Sequence, residues 1–245
     1  LYHRRLCRET IAKALMDVLC WRHEQHLYFL HIMVLVYAAL PVTRAFLRRA
    51  DEKTIRYALA LWAFSGVLLP TARALGLLFW LDGIPVQWAL SLTWSSIGCT
   101  ALGWRLRKKP LRAGTSIALV LLGFAICYVG TAVLSIRKGT LAPQLLEGLS
   151  PGPLMMAIGI FCLCEVLAPK LPNVLQRTAE TFGKSSFGIY LAHEFALSAF
   201  RVFGVTTWFA SPLISIPALA FACLLLTFMG VFVMSKIPIV RRWLI

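Results

Sequence analysis

Three stretches of this chain, 83–104, 113–136 and 202–235, run without a single Asp, Glu, Lys or Arg. A helix needs roughly 20 apolar residues to cross the ~30 Å hydrocarbon core of a bilayer. Inside that core only helices or closed barrels can pair every backbone N–H and C=O. Uncharged runs of this length exceed an ordinary strand, so helices that cross a membrane are expected. The composition agrees. Of 245 residues, 59% are hydrophobic and 14% charged, whereas soluble domains carry about a quarter charged. The expected fold class is all-α, a polytopic transmembrane helix bundle. That excludes a soluble enzyme and a disordered tail. The net charge of +15 invites a nucleic-acid reading, but such binding needs an exposed folded basic face, and no nucleic-acid partner is expected.

Apolar stretches bounded by charge or by Pro and Gly give seven expected spans, at about 27–47, 55–69, 87–104, 116–135, 153–167, 187–203 and 213–234. The segment 71–81 is apolar but too short to cross, and reads as a re-entrant or interfacial piece. The positive charges fall in alternate loops. Arg44, Arg48, Arg49, Lys53 and Arg56 lie between the first two spans, against Asp51 and Glu52. Arg105, Arg107, Lys108, Lys109 and Arg112 follow the third, and Lys170, Arg177 and Lys184 follow the fifth. The tail carries Lys236, Arg241 and Arg242, while the intervening loops are poor in charge. This is the positive-inside pattern. It predicts a multi-pass protein with a cytoplasmic C-terminus, anionic lipid at the basic face, and residues 1–26 outside.

Residues 1–26 form an expected external amphipathic segment, and 27–245 the transmembrane domain. Within the first, Ile11, Leu15, Met16, Leu19 and Cys20 fall near one helical face, with Lys13 and Asp17 off it. Both an interfacial helix and a packing helix over the bundle mouth fit that pattern. The chain begins Leu1-Tyr2-His3-Arg4, with no initiator Met and no signal region, so an N-terminally shortened chain is expected. An external start implies an odd number of preceding spans.

Ionisable groups inside a membrane are costly and mark function by default. Here they are His31, Glu165, His193 and Glu194, with Arg201 near a helix end. In the sixth span Ser186, Tyr190, His193 or Glu194, Ser198 and Arg201 recur every three or four residues, a polar stripe on an apolar rod. A His beside a Glu near a Tyr hydroxyl could move a proton; a structural network locking helices together would look the same. In the first span His26, Met33, Tyr37, Pro41 and Arg44 share a face, although aromatics at a span end also serve as interfacial anchors. Cys162-x-Cys164 points to two helix faces and is no metal clip. No metal site is expected, and no phosphate-binding glycine loop, HExxH or GxSxG occurs.

The run Ser186-Phe187-Gly188-Ile189-Tyr190-Leu191-Ala192-His193 resembles the late-helix signature of the membrane acyltransferase 3 family, Ser-x-Gly-Ile-Tyr-x-x-His. His26-Leu27-Tyr28-Phe29-Leu30, followed by Tyr37 and Pro41, resembles that family's His-Leu-Trp-Phe-Leu…Tyr…Pro run, with Tyr28 in place of Trp. The order of the two is that of the family, and the resemblance covers about residues 9–245. Within the family the likeness is to bacterial inner-membrane O-acetyltransferases that modify surface polysaccharides.

The resemblance implies ten spans with both termini cytoplasmic, so three spans would precede Leu1, in agreement with the parity of the charge pattern. It implies acyl transfer, typically of acetyl, from a cytoplasmic acyl-CoA to a sugar hydroxyl outside, with acetyl-CoA as donor substrate, no bound cofactor, and membrane lipid and a glycan acceptor as partners. The family's catalytic His lies in its first helix. None of His3, His23, His26, His31 or His193 fits that place, so the catalytic group is expected upstream and the chain alone is expected to be inactive. Arg5-Leu6-Cys7-Arg8 matches the family's Arg-x-x-Arg by letter but stands too near His26, and reads as coincidence. Expected cavity walls are Tyr37, Glu165, Tyr190, His193 and Glu194, with His26 and Ser186 secondary. A proton-coupled transporter or flippase, relaying protons through Glu165 and His193/Glu194, is the alternative. A scaffold whose polar stripe only joins helices is the third reading.

Overall fold

The computed structural model describes residues 28–77 and 87–237, together with Lys13, Met16 and Asp17. The amphipathic segment is therefore outside the described residues save for those three. Arg5, Arg8 and His26 also lie outside them. Among the described residues there is no strand, and seven helical rods fall on the seven expected stretches. They are α1 (Tyr28–Arg49), α2 (Glu52–Ala74), α3 (Leu92–Lys108), α4 (Ala113–Lys138), α5 (Pro151–Leu167), α6 (Asn173–Val202) and α7 (Pro212–Met234). Five are long and apolar enough to cross a membrane: α1, α2, α4, α7, and α5 with its extension to Lys170. The protein is a multi-pass helical membrane protein.

The helix ends differ from the hydropathy limits for identifiable reasons. The third span was expected to stop at the first charge, but α3 runs on through Arg105 and Arg107 to Lys108. Arg and Lys are good helix formers, and cations suit a helix C-terminus. α2 starts at Glu52, on the Asp51 cap whose side chain accepts from Thr54 N at 3.2 Å. At its other end the expected separate piece 71–81 is corrected in its first part, and 78–81 lie outside the described residues. Residues 71–74 continue α2 as Leu69–Ala74, and the helix ends where Gly76 takes a φ of 71°. α6 is longer than its apolar half and begins at Asn173, because the charged residues Arg177, Glu180 and Lys184 ride on the same helix.

The chain divides into two compact units, Leu1–Lys170 and Leu171–Ile245. In the first, α4 and α5 pack antiparallel with glycines at the crossing. A Cβ on Gly123 would stand 2.6 Å from the Gly152 carbonyl oxygen, and one on Gly159 would stand 2.5 Å from that of Ser116. Small residues let membrane helices approach closely, and dispersion then supplies the attraction that water cannot. Cys162 is fully buried on α5 while Cys164 is exposed, as their different helix faces require. α3 packs on α1 and on α2, where the Trp62 indole covers Gly98. In the second unit α6 lies along α7. Phe182 stacks on Phe228 with ring centroids 4.2 Å apart, and Val231 fills the space above Gly188.

Candidate functional site

The register of α6 on α7 sets the polar stripe. With Gly188 closed by Val231 and Cys223 Sγ 3.7 Å from the His193 carbonyl oxygen, Tyr190, His193 and Glu194 are half-buried. Ser186 is exposed and donates to Gly183 O at 2.8 Å. His193 Nδ1–H donates to Tyr190 O at 2.5 Å, and the two rings lie 5.9 Å apart, tilted by 31°. A carbonyl oxygen can only accept, so Nδ1 carries the proton of this bond. Two turns along the same helix from Glu194, Arg201 Nη2 meets Glu194 Oε1 at 3.0 Å. That pair neutralises the stripe's carboxylate within one helix, as a low-dielectric setting favours. The stripe therefore separates into an imidazole bonded to its own helix and an ion pair within that helix. Beneath it Thr227 Oγ1 donates to Cys223 O at 2.5 Å, a buried polar pair that periodicity within α6 could not show.

Tyr37 and Glu165 belong to the first unit, on α1 and α5. Tyr37 is exposed, and Glu165 is half-buried next to the exposed Cys164. His31 is half-buried on α1. Pro41, inside α1, has no N–H to give the Tyr37 carbonyl. Neither Tyr37 nor Glu165 lines either of two cavities formed in this unit by described residues.

Those cavities sit toward opposite ends of α2. One, of about 260 Å³, is apolar and lies between α1, α2 and α3, with Val42, Phe46, Ile55, Leu59, Trp62 and Ala101 in its walls. The other, of about 340 Å³, is the more polar of the two: its walls are mostly apolar, Val67, Pro70 and Leu92 among them, but also carry Thr71, Gln144, Glu147 and Ser150. A single layer stands between them. Trp62 Nε1 donates to Ser95 O at 2.8 Å, and a Cβ on Gly66, which lines the polar cavity, would stand 2.7 Å from Ser95 Oγ. Ser95 is fully buried and its hydroxyl has no hydrogen-bond partner among the described residues. Beside it, Phe64–Leu68 forms a π-turn, a widening that recurs at functional sites.

In the polar cavity Gln144 is satisfied in one amide orientation, its oxygen accepting from Lys138 Nζ and its nitrogen donating to Ala142 O, each at 3.2 Å. Glu147 is exposed and makes no ion pair among the described residues. Sequence reasoning missed Thr71, Gln144, Glu147 and Ser150. For the last three the only local signal is the Pro-and-Gly-punctuated stretch 139–153 between two spans.

The fold and these sites define a polytopic helical membrane protein with polar groups set into its helices. The chain belongs to the acyltransferase 3 family: the family's sequence model, described as an acyltransferase domain, matches residues 17–235. It is thus a membrane acyltransferase family member over most of its length. Comparison with curated proteins and with solved structures found no match.

Proposed function

We propose that this protein serves acyl-CoA-dependent O-acyl transfer, most simply of acetyl, to a hydroxyl of a cell-envelope polysaccharide or glycolipid, in the cytoplasmic membrane of a bacterium. The observation that carries the reading is the family match over 17–235, which takes in both the Tyr28-to-Pro41 run and the Ser186-to-His193 run. In the reaction the acceptor oxygen bonds to the acyl carbon, the carbon–sulfur bond breaks, and the hydroxyl proton ends on the thiolate. An imidazole side chain can pass such a proton on, and His193 is proposed for that role. Tyr190 and Glu194 are proposed as polar positions of the second unit in this reaction, and Tyr37 and Glu165 as polar positions of the first. The cavity holding Gln144 and Glu147 supports a hydroxyl-rich acceptor, because an amide and a carboxylate both bond sugar hydroxyls.

The test is genetic and chemical. Disrupting the coding sequence of this chain in its host should remove base-labile acetyl groups from the envelope glycans, measured by mass spectrometry before and after mild alkali, and restoring it should return them. An unchanged acetyl content together with a lost proton-coupled flux would contradict the reading and favour a transporter.

A further inference from the structure

We propose that the apolar crevice between α1, α2 and α3 binds one acyl chain of an anionic glycerophospholipid, whose phosphate is held by the cationic ends of α2 and α3. This is independent of the acyl-transfer reading. The crevice has room for a stretch of alkyl chain, about 260 Å³, and its walls are apolar save for Thr43. The Thr43 hydroxyl is already committed to Ala39 O at 3.0 Å. A polypeptide segment laid there would bury backbone polar groups with nothing to bond, whereas an alkyl chain asks for nothing else. Val42 and Phe46, both exposed, flank the opening.

The charge at one end selects the headgroup. One turn from Ile55 stands Glu52, and one turn from Ala101 stands Arg105, and the two are paired at 2.6 Å. Arg56 and Lys109 act on the same Glu52 carboxylate through space. One carboxylate thus faces three cations, and the exposed Arg56 and Lys109 remain to meet an anion. Beside them Lys108 Nζ sits 3.9 Å over the Trp104 ring, the aromatic-and-cation pairing of a membrane–water boundary. An acyl chain under a phosphate has the same order of parts: apolar below, anionic at the boundary.

The full chain, purified in neutral detergent, is exchanged into mixed micelles of phosphatidylglycerol and phosphatidylcholine in equal amounts with identical chains. Lipid retained through size-exclusion is then measured by mass spectrometry. Phosphatidylglycerol should be retained in excess. Arg56→Gln and Lys109→Gln, on exposed positions, should each cut that excess about fivefold. Ala58→Phe fills the crevice and should lower retention of both lipids, and Ala101→Leu does so from the opposite wall if the first variant does not fold. Equal retention of the two lipids, or retention indifferent to a filled crevice, would overturn the proposal. So would displacement of the phospholipid by oleoyl-CoA, which would make a thioester the occupant. A dimer that comes apart on filling the crevice would make the occupant a second copy of the chain, with the same consequence.

Discussion

His193 Nδ1–H donates to the Tyr190 carbonyl, which ties the ring to its own helix. His193→Ala should lower acyl transfer on the order of 100-fold while leaving thermal unfolding of the purified protein unchanged. Tyr190→Phe keeps the carbonyl and should retain most of the activity. Equal loss of folding and activity in His193→Ala would instead mean that the stripe only joins helices. Much of this was legible beforehand: the spacing of Ser186, Tyr190, His193 and Arg201 needs only the helical period. What the period hides is where each side chain spends its hydrogen bonds. Glu194 and Arg201 read only as members of one stripe along the sequence, and the fold pairs them at 3.0 Å. Ser95, Gln144 and Glu147 carry no periodic signal, because their cavity and layer arise only when α2, α3 and a loop meet.

Among elements, the α4–α5 crossing depends on glycine rather than on greasy bulk. Gly159→Leu would drive carbon into the Ser116 carbonyl and should lower stability by about 1–3 kcal/mol, measured by denaturation in detergent. Gly103→Ala in α3, where a Cβ meets nothing within 4 Å, should be neutral or slightly stabilising. The start of α2 is sensitive to acid. The hydrogen bond from Thr54 holds the Asp51 carboxyl below its ordinary 3.8. A carboxyl lowered in the folded state contributes stability that is complete above the ordinary value and is lost as pH falls through the native one. Asp51→Asn caps without titrating. Its stability relative to wild type should be flat at neutral pH and rise only in acid, and a difference independent of pH would refute the cap. The helices themselves were legible because hydrocarbon length is a blunt requirement. Their ends were not, since Arg105 and Arg107 lower hydropathy without weakening the helix.

For the whole molecule, the alternation of basic loops predicts an orientation. In a background with the native cysteines changed to alanine, Thr140→Cys should react in intact cells with a membrane-impermeant maleimide, and Lys109→Cys only after permeabilisation. The reverse pattern would invert the topology and place the Gln144 and Glu147 cavity on the donor's side. The central claim is transfer of an acyl group from a CoA thioester to a glycan hydroxyl, and one measurement meets it directly. Membranes from cells carrying the intact coding sequence are supplied with radiolabelled acetyl-CoA, and the envelope glycan is isolated. Label should enter the glycan as a base-labile ester and fall with His193→Ala. If the glycan stays unlabelled while the acetyl-CoA remains intact, the protein does not catalyse this transfer.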